Sequence, residues 1–247
     1  MIPGSFAALA LAALIGVSLG VLGSGGSIVT LPVLVYVAKI PPNQAVGMSL
    51  AIVGATSLLG ALLQFRKGNL HLKAVMLFSL TGVIGAFLGS NATHLLSKQA
   101  LLLLFAAIML VVGSLMLSGR PRLKEGRQCQ VWTCLAVGLV VGLLTGFLGV
   151  GGGFLIVPAL VLAAGLSVRT STGTSLAIIA LNSASGLLGH LRFVQLDWGL
   201  LVQFLLLACG GMLLGLAFAD RVPEKTLRRV FASALIVLAV VIGWANL

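Results

Sequence analysis

Acidic side chains are the scarcest chemical group in this sequence. Only four of its 247 residues are Asp or Glu, and all four lie in connections between apolar runs or at the ends of those runs: Glu125, Asp197, Asp220 and Glu224. A relay of carboxylates that carries protons through the middle of a membrane is therefore excluded. A bound anion would also meet no competing negative charge.

Charged residues of both signs together make up only 8% of the chain, whereas 60% of it is hydrophobic. The sequence has too few polar residues to cover a water-exposed surface, and its apolar runs reach the roughly 20 residues that cross a bilayer. The net charge of +11 does not indicate nucleic acid, because the basic residues sit in short connections and form no continuous stripe. We predict an integral membrane protein surrounded by lipid, with no nucleic-acid partner.

Motifs for cofactors, metals and catalysis are missing too. The three cysteines, Cys129, Cys134 and Cys209, form no CxxC pair and have no His at ligand spacing. Neither a disulfide framework nor a metal site is predicted, and we interpret the cysteines as bystanders. The glycine run at 149–154 lacks the last glycine of a dinucleotide fingerprint, and no P-loop motif occurs. We expect no cofactor, no coupling to ATP within this chain and no enzymatic activity.

The chain repeats itself at an offset of 126 residues. The related pairs begin with Gly20/Gly146, Gly23/Gly149, Gly25/Gly151, Gly26/Gly152, Pro32/Pro158, Gly47/Gly173 and Ser49/Ser175, and continue without a gap through Gly60/Gly186, Arg66/Arg192, Gly85/Gly211 and Phe105/Phe231. We predict a first membrane repeat at 1–118, a basic cytoplasmic linker at 119–131 and a second membrane repeat at 132–247, within one transmembrane domain. Two halves with glycine-broken apolar segments at matching positions are typical of transporters.

Each half contains five apolar segments. They span Ser5–Leu22, Ser27–Ala38, Gln44–Phe65, Leu72–Thr93 and Gln99–Ser118, then Trp132–Leu148, Phe154–Ala164, Thr170–Leu191, Trp198–Ala219 and Lys225–Asn246. The second segment of each half is too short to cross, since the 11 residues from Ile28 to Ala38 rise only about 16 Å as a helix. We therefore predict an all-α integral membrane protein in which each half carries a glycine-broken re-entrant hairpin.

Basic residues test this arrangement independently, because positive charge in short loops favours the cytoplasmic side. Five segments per half place twelve basic residues inside and only Lys39, Lys98 and Arg192 outside. An odd number of crossings per half inverts the second half relative to the first, and both termini then lie outside. Such an inverted repeat suits alternating access around a central site.

The glycine loops are the predicted substrate site. The site residues are Gly23, Ser24, Gly25, Gly26 and Ser27 in the first half and Gly149, Gly151, Gly152 and Gly153 in the second. Glycine lets backbone N–H groups face a ligand, and the helix that follows presents unsatisfied donors, which together form an anion cradle. The alternative is that these glycines only allow close helix packing, a reading that fits Gly82, Gly85 and Gly89 better.

Polar side chains on the third segment of each half complete the predicted site. The candidates are Ser49, Ser175, Asn182 and His190. A single Ser usually bonds a carbonyl of its own helix, whereas an amide deep in an apolar segment strongly needs partners. Asn182 is therefore the strongest side-chain candidate, and His190, near a helix end, is as well explained by an interfacial position as by titration.

The ordered combination of these motifs resembles the TauE/SafE family of sulfite exporters. The resemblance rests on the paired glycine loops that lead to Pro32 and Pro158 and on the runs at 173–177, 180–183 and 186–190. It implies a plasma-membrane carrier of small sulfur-containing anions such as sulfite or sulfoacetate, with the two loops, Asn182 and His190 at the site. Two positions depart from the pattern of the second half: Ser27 replaces a loop glycine, and His71 stands where the second half has Asp197.

We therefore predict a secondary transporter that moves a small anion across the plasma membrane by alternating access. A passive anion channel that uses the same two loops as a filter is the nearest alternative. A membrane scaffold subunit that transports nothing is a third, and it predicts no stabilisation by any substrate.

Overall fold

The computed structural model describes residues 3–23, 26–27, 30, 33–92, 98–118, 131–148, 153–162, 164–190 and 197–245. Within these ranges the regular structure is helical, which confirms the all-α prediction. The elements are α1 (Pro3–Leu22), a π-helical segment (Val33–Val37), α2 (Pro42–Arg66), α3 (Leu72–Ala92), α4 (Lys98–Leu117), α5 (Val131–Leu148), α6 (Gly153–Leu162), α7 (Val168–His190), α8 (Trp198–Arg221) and α9 (Glu224–Ala245). The α-helices begin and end within two residues of the predicted segments.

The second apolar segment of each half ends in the same backbone turn. In the first half Lys39 has a φ of 55°, and the Ile40 N–H donates to the carbonyl of Leu34 at 3.0 Å. In the second half Gly165 has a φ of 67°, and the Leu166 N–H donates to the carbonyl of Leu160 at 3.2 Å. Because these positions are related by the offset of 126, the duplication extends from the sequence to the backbone. Lys39 holds a conformation that favours glycine, the residue its counterpart has.

Each of two buried cores combines both halves of the chain. The first core contains residues of α1, the π-helical segment and α2 together with α8, for example Leu19, Leu34, Met48 and Phe204. The second contains residues of α5, α6 and α7 together with α3, and it also includes residues of α4 and α9, which pack against each other. The first and third helices of each half thus pack against the fourth helix of the other half, so the halves are interlocked.

Small residues set the distance between the helices in these cores. At the crossing of α1 and α8, a Cβ atom on Gly211 would strike the carbonyl oxygen of Ala13. At the related crossing of α3 and α5, a Cβ atom on Gly85 would strike the carbonyl oxygen of Leu139. Glycines at such contacts let helix backbones approach closely. The packing interpretation of Gly85 is therefore confirmed.

The two third segments, α2 and α7, pack against each other in opposite directions. Close approaches join Gly54 to Ser183, Gly60 to Leu176 and Gln64 to Gly173, with the Cβ position of each glycine 3.0 Å from the facing side chain. Residue numbers rise along α2 as they fall along α7, so the helices are antiparallel. In contrast, Ala13 lies against Gly211 and Val17 against Gly215, so α1 and α8 are parallel.

The helices expose apolar side chains that suit contact with lipid. Among the described residues, Gln44–Arg66 and Trp198–Ala219 are each long and apolar enough to cross a membrane. Large apolar side chains are also exposed along α3 and α8, among them Met76, Leu80, Leu206, Leu214 and Phe218. An exposed apolar surface of this extent indicates a membrane environment.

One cysteine forms a bond that the sequence did not predict. Cys209 is a free thiol, but Cys134, which is buried in α5, is disulfide-bonded. The prediction is therefore wrong at Cys134, because a spacing rule that looks for CxxC pairs does not find bonds between cysteines at other separations. Among the described residues no group of three His, Cys, Asp or Glu side chains could hold a metal ion.

Candidate substrate site

The end of α1 meets the beginning of α7 at Gly23. This glycine has a φ of 73°, and a Cβ atom on it would lie 2.6 Å from Cγ2 and 2.8 Å from Cα of Thr172. The single O–H of Ser175 is shared between two carbonyls, that of Thr172 at 2.8 Å and that of Gly23 at 3.1 Å. The structure thus brings together two predicted site residues, Gly23 and Ser175, from opposite halves of the chain.

Two hydroxyls near this contact have no hydrogen-bond partner among the described groups. They are Ser171 Oγ and Thr172 Oγ1, and both residues are buried. Buried hydroxyls are nearly always paired, so these two are available to a ligand. The related positions of the first half are Ala45 and Val46, which offer no hydroxyl.

Sequence reasoning did not select Ser171 or Thr172. Ser171, Ser175 and Asn182 are spaced by four and seven residues and therefore share one face of α7. This periodicity is the signal that could have found Ser171. Thr172 lies off that face, and only the packing of α1 against α7 identifies it.

Asn182 lies on the same face as Ser175 but about 10 Å further along α7, at 1.5 Å per residue. Its Oδ1 atom is buried and has no hydrogen-bond partner among the described residues. It lines a separate small cavity between α3, α5, α6 and α7. The predicted site residues therefore do not form a single cluster within the described part of the chain.

Gly26 packs against α1. It is buried, and a Cβ atom on it would strike the carbonyl oxygen of Ile15 and lie 2.7 Å from Cγ of Leu19. Its own carbonyl accepts a hydrogen bond from Thr30 Oγ1 at 2.9 Å. A side chain at Gly26 would therefore displace α1. Glycine is required here for packing, whereas the sequence predicted a role in ligand binding.

The remaining predicted site residues fall into two groups, those that lie outside the described residues and those that lie on other elements of the fold. Ser24, Gly25, Gly149, Gly151 and Gly152 lie outside the described residues, as does most of the predicted linker at 119–131. Ser27 is buried in a helical turn, Gly153 is the first residue of α6, and Ser49 is half-buried on α2. His190 is the last residue of α7, and its side chain lies outside the described part of the chain.

His71 and Asp197 perform the same task in the two halves. His71 Nδ1 accepts a hydrogen bond from the Ala74 N–H at 3.1 Å, and Asp197 Oδ1 accepts one from the Leu200 N–H at 3.1 Å. Each side chain thus satisfies a backbone donor in the first turn of the following helix, α3 or α8. The backbone N–H of His71 also donates to Thr174 Oγ1 at 3.1 Å, which links this connection to α7. The difference in residue type therefore preserves a helix cap.

Known proteins resemble this chain along nearly its whole length. Residues 8–242 match the family described as sulfite exporter TauE/SafE. A probable membrane transporter protein of Xylella fastidiosa (strain 9a5c) is 36% identical over 241 residues, which cover 94% of this chain and 92% of the relative. The probable membrane transporter protein YdhB of Bacillus subtilis (strain 168) is 27% identical over 221 residues, which cover 87% of this chain and 90% of the relative. This chain belongs to the TauE/SafE family of membrane transporters.

Proposed function

We propose that this protein is a secondary transporter that moves small anions, sulfite or an organosulfonate such as sulfoacetate, across the plasma membrane by alternating access. The observation that carries the proposal is the pair of buried hydroxyls beside Gly23, Ser171 Oγ and Thr172 Oγ1, which have no hydrogen-bond partner in the part of the chain that the structure describes. Neutral donors of this kind replace the water around a small anion without the cost of burying a second charge.

Electrostatics near these hydroxyls favour a negative ligand. Ser171 and Thr172 lie close to the N-terminus of α7, where the helix dipole is positive. The half-buried Arg169 precedes them, with its Nη2 atom donating to the carbonyl of Val222 at 3.1 Å. The whole chain has only four acidic residues, so little negative charge opposes the approach of an anion.

Alternating access follows from an inverted repeat with both termini outside and a re-entrant hairpin in each half. The antiparallel packing of α2 and α7 supports the inversion, because these helices occupy related positions in the two halves. The parallel pairs α1 with α8 and α3 with α5 also fit the predicted directions of those helices. Exchange of the two halves' conformations would expose one central site alternately to the two sides of the membrane.

Thermal shift of the purified protein tests the substrate site. Sulfite or sulfoacetate should raise the melting temperature, because a ligand that binds only the folded state stabilises it. Ser171→Ala and Thr172→Val should each weaken anion binding by about 5- to 150-fold, the equivalent of removing one donor from a desolvated charge. Ser114→Ala is the matched control, because the Ser114 hydroxyl is exposed and bonds the carbonyl of Val111 in its own helix.

Transport assays in proteoliposomes separate a carrier from a channel. Saturable counterflow of labelled sulfite or sulfoacetate is the expected result. Persistent single-channel current would contradict alternating access while leaving the anion site in place. The absence of stabilisation by any small anion would contradict the substrate assignment itself and favour a scaffold role.

A further inference from the structure

A small cavity lies beside Asn182, between α3 of the first half and α5, α6 and α7 of the second half. It has a volume of about 10 Å³ and is lined by Phe78, Gly82, Gly138, Val141, Gly142, Ile156, Ile178 and Asn182. This is about the room that one water molecule needs. The buried Oδ1 atom of Asn182 has no hydrogen-bond partner among the described residues.

The related positions of the first half are filled and satisfied. The offset of 126 relates Gly82 to Ala208, Gly138 to Ala12 and Asn182 to Thr56. Ala12 and Ala208 are fully buried, so two methyl groups occupy the space that the two glycines leave open. The Thr56 hydroxyl donates to the carbonyl of Ile52 at 2.6 Å and needs no other partner.

Gly82 keeps the cavity open, although a Cβ atom would fit at this position. A Cβ atom on Gly82 would lie 3.9 Å from both Asn182 Nδ2 and the carbonyl oxygen of Gly138, which is ordinary van der Waals contact. Gly85, one turn away, leaves no such room. The backbone of Gly82 does pack closely on α5, because a Cβ atom on Gly142 would strike the Gly82 carbonyl oxygen, but the Cβ position of Gly82 itself is open. That position is bordered by polar atoms on two sides.

We propose that this cavity is a binding site for one small hydrogen-bond donor, a water molecule or a hydroxyl group of a bound substrate, which donates to Asn182 Oδ1. The room for one oxygen atom and the unpaired acceptor define the ligand chemistry, and the amide and carbonyl around Gly82 supply the further polar contacts that a buried water requires. The inference does not depend on the proposed transport of anions, because the cavity and its acceptor are present whatever the substrate is.

A double-mutant cycle on the full-length purified protein tests the site. Gly82→Ala places a methyl group in the cavity, displaces the donor and leaves Oδ1 unpaired. It should lower the melting temperature by about 2–4 °C, as expected for one lost buried hydrogen bond in a protein of this size. In an Asn182→Leu background the same methyl group only gains contacts and should leave the melting temperature unchanged or raise it. If Asn182→Leu prevents folding, Asn182→Thr, the residue of the first half, is the second background.

The cycle is repeated with and without saturating sulfite to identify the source of the donor. If the melting-temperature change caused by Gly82→Ala depends on Asn182 in the absence of sulfite, the donor is water. If it depends on Asn182 only when sulfite is present, the donor is a hydroxyl of the protonated substrate. A wild-type protein that sulfite does not stabilise would contradict the proposed substrate but leave the test in its absence intact. Gly82→Ala that raises the melting temperature equally in both backgrounds, with and without sulfite, would overturn the site.

The related position in the first half provides a matched control. Ala208→Gly opens the equivalent space next to Thr56, whose hydroxyl is already bonded. It should lower the melting temperature by the same amount with Thr56 present or replaced by Val. Coupling of equal size in the two halves would contradict a site specific to the second half.

Discussion

At the scale of single residues, the two halves have kept a hydrogen bond while changing the residue that makes it. His71 and Asp197 have different charges and shapes, yet each accepts a bond from the backbone N–H three residues later. An imidazole nitrogen without a proton and a carboxylate oxygen are both competent acceptors. The substitution also removes one acidic residue from a chain that has very few.

We predict that the cap at His71 tolerates Asp but not an apolar residue. His71→Asp should keep the stability of the protein, because the carboxylate can accept the same bond from Ala74. His71→Leu should cost about 1 kcal/mol, the usual effect of losing an N-cap, and lower the melting temperature by about 2–4 °C. Thermal unfolding of the purified variants measures both.

The reciprocal changes at Asp197 are the control. Asp197→His should be close to neutral and Asp197→Leu should match the loss at His71→Leu, since the two caps are related by the repeat. A His71→Leu protein with unchanged stability and no transport would contradict a capping role and indicate that His71 acts on the substrate.

At the scale of helices, the positions of glycines along one face decide which contacts are tight. Gly210 and Gly211 are adjacent on α8, but a Cβ atom on Gly211 would strike the Ala13 carbonyl, whereas one on Gly210 would meet nothing within 4 Å. Only the second of the two glycines faces α1. Composition alone does not separate them.

We predict opposite effects from the same substitution at these neighbours. Gly211→Ala should separate α1 from α8 and lower the melting temperature of the purified protein. Gly210→Ala should leave it unchanged or raise it slightly, because alanine favours a helix by about 1 kcal/mol over glycine. Equal effects at both positions would show that backbone propensity, and not the helix crossing, controls stability here.

The helices could be predicted from the sequence because their lengths and apolar character are local properties. The ends of α2 and α8, for example, lie within two residues of the segments predicted at Gln44–Phe65 and Trp198–Ala219. The contact of Gly26 with Ile15 could not be predicted, nor could the position of the Thr172 hydroxyl, which has no partner among the described residues, since both depend on how the elements pack. The same limit applies to Gly82 and Gly85, because only the packing shows that a Cβ atom fits at Gly82 and not at Gly85.

At the scale of the whole molecule, each half completes the core of the other, so neither half buries its apolar faces alone. The three tryptophans, Trp132, Trp198 and Trp244, are exposed and lie at the ends of α5, α8 and α9. Tryptophan is enriched at the boundary between lipid and water. Their positions fit helices whose ends reach the two membrane surfaces.

The orientation of the molecule in the membrane is the last prediction, and it follows from the distribution of basic residues. Single cysteines at Ser118 and Lys225, in a cysteine-free background, should react only with thiol reagents that reach the cytoplasm, because the basic connections favour that side. A cysteine at Lys39, where the first short segment ends, should react from outside. The measurement is labelling of intact cells with an impermeant reagent before and after permeabilisation. Labelling of positions 39 and 118 from the same side would contradict the inverted arrangement of five segments per half, because that arrangement requires an odd number of crossings, those of α2, α3 and α4, between the two positions.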